Sequence, residues 1–443
     1  IGDECMISYV RLKNYRSLVD FYVDFTGKRG NVKKFILVYG ENGVGKSNFA
    51  SVFYTLYETL RTKSIKDILE RLIEQSEEEK EEDSFQNFLR NNFKDIEAII
   101  KSSKTIGSQQ NMVLEFGIKI GGKKGSYYLE TDDTKIVSER LEYVINKNKT
   151  TFYSFDDNNK FINNSIFKDT EYAKEIDALL NQYWGKHSFL SLLSAEIENK
   201  KDGYVKKKIC KGLYDVIAYF MTLSIRVKDG YRVEKGKMGI SHKLLGSLEK
   251  GSININAEEE LDKAECFLNE FFTRLYSDVK QVYYERDIVN DKLAYHLIFR
   301  KQIYGKVIDV DLKKESTGTQ YLLEMIPFFM ASVEGQTVVI DEMDTGIHDL
   351  LVDTLLESLY DAVRGQIIIT THNTMLLESG LPKDCMYIFN VDENADKELL
   401  PISEFEERIH PNLNIRKRYL KGMYGGIPMM MDIDFDELLD IME

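Results

Sequence analysis

Eight residues, GENGVGKS at positions 40–47, fit the pattern GxxxxGK[ST]. They stand between the apolar run KKFILVY and a stretch in which Phe49, Val52, Phe53, Leu56 and Leu60 recur at helical spacing. Strand, glycine-rich turn and amphipathic helix in that order predict the opening unit of a parallel α/β sheet. The backbone N–H groups of such a turn converge at the positive end of the helix, where a polyphosphate is held. Gly40, Glu41, Asn42, Gly43, Val44, Gly45, Lys46, Ser47 and Asn48 are therefore the candidate cradle. Lys46 would reach the β- and γ-phosphates of a nucleotide, and the Ser47 hydroxyl would ligate Mg²⁺.

The chain of 443 residues is long enough for two or three lobes. With 43% hydrophobic residues and a formal net charge of −14, it reads as a globular, acidic protein and not as a uniformly basic nucleic-acid coat. Local basic clusters remain: Lys206, Lys207, Lys208 and Lys211; Arg226, Lys228, Arg232, Lys235 and Lys237; Arg416, Lys417, Arg418 and Lys421. Each is by default a solvated face, and each keeps a local DNA-binding face open as an expectation. Cys5, Cys210, Cys266 and Cys385 show no CxxC spacing, so neither a disulfide framework nor a zinc ribbon is expected. No apolar run is long enough to cross a bilayer. The expectation is a cytoplasmic protein without a membrane partner.

Along the chain, ISYVRLKNYRSL and KKFILVYG read as strands. Helical patterns over 65–73 and 85–100 flank the charge run SEEEKEEDS, which reads as a solvated turn. Residues 112–162 read as short antiparallel strands, and 171–276 as mainly helical, with Leu261, Phe267, Leu268, Phe271, Phe272 and Leu275 as one core-facing stripe. Three strands are expected near 278–285, 293–301 and 305–311. A dense alternation follows: a helix from about Thr319, the strand TVVID, a helix over 350–363, then the strands QIIIT and MYIFN. That is a parallel-sheet pattern.

Further candidate residues lie in this last third. Asp341 and Glu342 end the strand TVVI, where a carboxylate is placed to organise Mg²⁺ and its neighbour to orient or deprotonate a water. QIIITTHNT puts His372 just past a neighbouring strand, within reach of a γ-phosphate. KESTGTQ sets Ser316, Thr317, Gly318 and Thr319 at the start of a helix, which suits either an anion or an ordinary helix cap.

A glycine loop near the start, a long interruption, then ESTGTQ, DE and TH compressed into the last third resembles the ATP-binding-cassette ATPases. ISYVRLKNYRSL before the loop, DEMDTGIH, and the late IRKRYLKGMYGGIP resemble the RecF, SMC and OLD branch. Within it the chain looks most like stand-alone AAA ATPases of bacterial anti-phage abortive-infection systems, of the AbiL and PARIS AriA types.

The resemblance implies an α/β fold: a P-loop ATPase core with a mixed or parallel sheet, an antiparallel β subdomain and a helical insertion. It divides the chain into a core of 1–64 with 277–400, a helical segment and β lobe over 65–170, a helical insertion over 171–276 serving as arm, lid or partner dock, and a tail over 401–443 as a candidate partner-binding segment. It implies ATP and Mg²⁺ as cofactors, Lys46 and Ser47 as phosphate and Mg²⁺ contacts, Asp341 as Mg²⁺ organiser, Glu342 as general base and His372 as switch histidine. It further makes residues 316–319 a signature loop acting across a homodimer that sandwiches ATP, or a higher oligomer, and His348 part of the loop between subunits. The Mg²⁺-sensing glutamine of the family is not assigned: Gln109, Gln110 and residues 188–196 all stay open.

Some OLD members carry a Toprim nuclease after the ATPase. The short stretch after His372 leaves no room for one, so a nuclease effector of Toprim or RloB type is expected as a separate polypeptide. Asp432, Asp434 and Asp436 in the tail read as an acidic helix in preference to a metal site. Two alternatives accompany the defence reading: a RecF- or SMC-like DNA-repair ATPase, and a nucleotide-gated scaffold with incidental hydrolysis.

Overall fold

The computed structural model describes residues 4–27, 29–76, 94–144, 148–200, 203–228, 234–238, 246–392, 394–405, 413–425 and 435–441. Much of the charge run, the N-terminal part of the helix expected over 85–100, Arg232, Asp432 and Asp434 lie outside the described residues.

The central sheet has seven strands in the order β10-β9-β15-β16-β3-β17-β18. β9 (Ser224–Lys228), β15 (Thr337–Ile340), β16 (Gln366–Thr371), β3 (Phe35–Tyr39) and β17 (Met386–Val391) pair in parallel. The edges β10 (Glu234–Lys237) and β18 (Lys397–Pro401) run antiparallel. All five residues of β3, FILVY, are buried, as a parallel strand covered on both faces requires. Alternation divides them: Ile36 and Val38, with Val339 and Ile368, face one core, while Phe35, Leu37 and Tyr39, with Val338, Ile340, Ile367 and Ile369, face the other.

The first core is closed by helix Lys46–Ser76 and by an antiparallel sheet, β2-β1-β4-β5-β6-β7-β8. Its strands are β1 (Cys5–Tyr15), β2 (Leu18–Asp24), β4 (Met112–Ile120), β5 (Lys123–Thr131), β6 (Ile136–Val144), β7 (Lys149–Phe155) and β8 (Lys160–Ile162). The second core is closed by helices Glu258–Leu275, Thr317–Val333 and Asp349–Ala362. A third sheet of β11 (Lys250–Asn254), β12 (Val279–Val289), β13 (Lys292–Ile303) and β14 (Lys306–Asp311) packs on the first of these. The mixed α/β class, the antiparallel lobe and the strands expected near 278–311 are all present.

Three local readings are refined. The helix after the glycine loop and the helical pattern over 65–73 are one continuous helix, Lys46–Ser76, joined through Thr59, Thr62 and Ser64, which are buried polar positions that an apolar periodicity does not register. The segment ISYVRLKNYRSL, read as one strand, covers most of β1 and ends on Leu18, the first residue of β2; both strands belong to the antiparallel sheet, where β1 pairs with β4 from Cys5↔Ile120 to Lys13↔Val113. Within the mainly helical stretch 171–276 the chain also forms β9, β10 and β11. β9 is five residues of alternating Ile225, Val227 and charged Arg226, Lys228, too short and too basic to register as a buried strand.

A buried amide joins the two large sheets. Gln366, at the start of β16, accepts from Ile7 N–H (2.8 Å) and donates to the carbonyls of Ile7 (2.9 Å) and Lys33 (3.0 Å). It thus fixes β1 across the central sheet.

Candidate functional site

The parallel strands β9, β15, β16 and β3 lie side by side, so their C-terminal ends share one edge of the sheet, the edge where α/β proteins place their ligands. Those ends carry Lys228, then Asp341 and Glu342, then His372, then Gly40. The expected site residues are brought together by this topology from positions more than 300 residues apart.

The loop between β3 and helix Lys46–Ser76 needs its glycines. Gly43 (φ 84°) and Gly45 (φ 121°) take left-handed backbone, and a Cβ on Gly40 would come within 2.9 Å of the Phe389 Cβ. Asn42, Gly43, Gly45, Lys46, Ser47, Asn48, Glu342 and His372 line one cavity of about 290 Å³. Gly40 and Glu41 turn their carbonyls inward, each accepting from Lys46 Nζ at 2.7 Å. Val44 instead packs against the first core. Burial holds the Lys46 ammonium below its ordinary pKa, opposed by the nearby charges of Glu342, Asp341, Asp344 and Glu41.

Asp341 is buried behind this cavity. Its Oδ1 accepts from Thr370 Oγ1 (2.5 Å), its Oδ2 from the Lys228 N–H (3.3 Å), and it also accepts a hydrogen bond from the Ser47 hydroxyl. Burial raises its pKa, and the two hydroxyls and the N–H oppose that rise. A serine hydroxyl joined to one carboxylate suits a Mg²⁺ that brings phosphate and water oxygens of its own. Among the described residues no group of three or more His, Cys, Asp or Glu could hold a metal without such help.

Glu342 adopts φ 48°, a conformation costly for a residue with a side chain. Its N–H donates to Thr370 Oγ1 (2.9 Å), its carbonyl accepts from Tyr321 Oη (3.2 Å), and its Oε2 pairs with Lys228 Nζ (2.5 Å). His372 is half exposed, with Nδ1 3.5 Å from Asp344 Oδ2. The other oxygen of this buried Asp344, Oδ1, has no hydrogen-bond partner among the described residues.

The remaining candidates stand apart. Ser316 caps helix Thr317–Val333 by accepting from Thr319 N–H (3.2 Å), and none of residues 316–319 lines the cavity. A Cβ on Gly318 would meet the Gly346 carbonyl at 2.5 Å, so this helix start rests on the 344–348 loop, where His348 caps the next helix. Gln109 and Gln110 line a separate cavity with Arg11 and Lys13. Ser188 and Ser191 are buried and lie at and near the start of helix Phe189–Asn199. None of these lines the loop cavity. Lys228, Thr370, Asp344 and Tyr321 were not singled out as site residues from sequence. Lys228 counted only as one charge in a basic cluster.

Strand, glycine loop and helix on a mixed sheet of this order define a P-loop α/β protein. The chain belongs to the AAA ATPase domain family, which it matches over residues 6–377. No curated protein matches it. Among solved structures, an SMC head bound to the C-terminal winged-helix domain of ScpA aligns over 89% of this chain and 96% of its own, with 12% identity and a TM-score of 0.42. The SMC head domain of Thermotoga maritima aligns over 89% and 98%, with 12% identity and a TM-score of 0.36.

Proposed function

We propose that the chain binds ATP with Mg²⁺ in the loop cavity and hydrolyses it. The observation that supports this reading is the convergence on that cavity of Lys46, Ser47, Glu342 and His372, with Asp341 hydrogen-bonded to Ser47 directly behind. In this reading the loop N–H groups and Lys46 bind and orient the β- and γ-phosphates. Bound Mg²⁺ supplies charge neutralisation at the phosphates, held by Ser47 and Asp341. Glu342 takes the proton of the attacking water, and His372 donates to the γ-phosphate.

Residues 316–319 serve a second copy of the chain. Ser316 and Thr317 are exposed and do not line their own cavity, which suits a homodimer closing on two nucleotides, on its own or within a higher oligomer. The finer role, a regulator of anti-phage defence acting on a separate nuclease or toxin, rests on the sequence resemblance alone. The DNA-binding alternative gains nothing from the basic clusters, several of whose members are engaged within the chain: Lys208 with Asp169, Arg226 with Glu324, Lys228 with Glu342 and Arg416 with Glu378.

Glu342→Gln tests both levels. Steady-state hydrolysis should fall by about 10²–10³-fold with ATP affinity retained. Normal turnover would remove Glu342 from its role. The same variant, loaded with ATP and purified from its native host, should retain a nuclease or toxin partner, and its purification without one would overturn the regulator reading.

A further inference from the structure

Strand β9 ends in a bracket around both acids of the site. The Lys228 N–H donates to Asp341 Oδ2 (3.3 Å), while its Nζ reaches Glu342 Oε2 (2.5 Å) and Thr345 Oγ1 (3.0 Å). Two residues earlier, the Arg226 carbonyl accepts from the Asp341 N–H (2.9 Å). The Arg226 guanidinium pairs with Glu324 (2.7 Å) and lies 5.0 Å from the centre of the Tyr321 ring. Tyr321 in turn donates to the Glu342 carbonyl. Glu324 and Tyr321 belong to helix Thr317–Val333, the helix that residues 316–319 begin.

A glutamate carboxylate at a cavity edge turns about three side-chain bonds and is useful as a base only while one oxygen faces the water. Here the backbone of Glu342 is held in left-handed geometry by Thr370 and Tyr321, and its carboxylate, among the described residues, by Lys228. The ammonium occupies Oε2 of a glutamate that lines the loop cavity. We propose that Lys228 is the positioning residue for Glu342, setting the carboxylate for water activation, with β9 tying that setting to the helix of the signature loop. The proposal rests on the reading of Glu342 as general base.

The test is a set of four variants: Lys228→Gln, which keeps a polar side chain at the strand end but no charge; Lys228→Arg; Glu342→Gln; and the double variant Lys228→Gln/Glu342→Gln. ATP affinity is read by equilibrium binding and turnover by single-turnover hydrolysis. Lys228→Gln should lower the hydrolysis rate by about ten- to a hundredfold with ATP affinity unchanged. Lys228→Arg should restore part of that loss. The double variant should be no slower than Glu342→Gln, because Lys228 acts only through Glu342. Should Lys228→Gln fail to fold, Lys228→Met takes its place in the set. Wild-type or faster hydrolysis by the uncharged variant, a parallel loss of ATP affinity, no rescue by arginine, or additive losses would each overturn the proposal. If Glu342→Gln alone hydrolyses ATP normally, the base assignment has failed, and the Lys228 proposal fails with it for that separate reason.

Discussion

Thr370 shows how much of this site is carried by one hydroxyl. Its O–H donates to Asp341 Oδ1 and its oxygen accepts from the Glu342 N–H, so a single side chain on β16 satisfies both acids at the end of β15. Thr370→Val keeps the shape and removes both bonds. Asp341 then retains the Ser47 and Lys228 donors, but Oδ1 and the Glu342 N–H lose their partner in a buried setting. The expected loss is about 1–3 kcal/mol of unfolding free energy, read from urea titrations, together with slower ATP turnover. Unchanged stability would mean that water replaces the hydroxyl. Asp341 and Glu342 were legible in the sequence because they follow an apolar run directly. Thr370 was not, since nothing local distinguishes the first threonine of TTH from any other strand residue, and its partners lie 28 and 29 residues away.

At the scale of elements, the antiparallel lobe is fastened to its helices by a buried carboxylate. Glu139 on β6 accepts from the N–H groups of Phe189 (2.6 Å) and Leu190 (3.2 Å), which begin helix Phe189–Asn199, and from the hydroxyls of Tyr127 (3.1 Å) and Tyr153 (3.0 Å). Burial nevertheless raises its pKa from 4.5 to about 7, against those four donors. A carboxyl that holds its proton more tightly when folded costs nothing at low pH, where both states are protonated. As pH rises from 4.5 to about 7 the unfolded chain ionises first, so stability falls, and above 7 the full cost remains. Glu139→Gln can keep a carbonyl on the Phe189 N–H and turn its amide toward the tyrosine hydroxyls without the charge, at the loss of the longer Leu190 N–H bond. Its stability relative to the wild type should therefore rise between pH 5 and 7.5 by up to roughly 3 kcal/mol, followed by denaturant titration across that range. Parallel pH profiles for the two proteins would sink the idea. Helix, strand and loop around β3, β15 and β16 were readable from periodicity because their apolar runs are contiguous. The assignment of β1 and β2 to the antiparallel sheet was not, because it is decided by pairing with β4 and by the Gln366 amide, both distant in sequence.

For the molecule as a whole, the exposed start of helix Thr317–Val333 bears on whether the protein works alone. Thr317 is exposed, and its neighbour Gly318 is wedged against the Gly346 carbonyl, so this end of the helix is held rigidly with its N–H groups free of any acidic residue in the first turn. Thr317→Glu places a carboxylate at the positive end of a helix, which favours the helix itself. Folding and ATP binding at the protein's own loop cavity should therefore be retained. A triphosphate presented by a second copy would meet that carboxylate at close range, so ATP-dependent dimerisation and hydrolysis should be lost. The contrast with Lys46→Ala is informative, because that variant loses its own phosphate grip and keeps residues 316–319 intact. In a symmetric sandwich, a mixed dimer of the two variants contains one site with both defects and one with none. Mixing two inactive proteins in equal amounts should then recover about a quarter of wild-type hydrolysis, set by half the dimers being mixed and half their sites intact. Light scattering with ATP would follow the assembly in parallel. Full hydrolysis by Thr317→Glu on its own would show that residues 316–319 serve only as a helix cap, and that the cavity formed by β3, β15 and β16 works without a second copy.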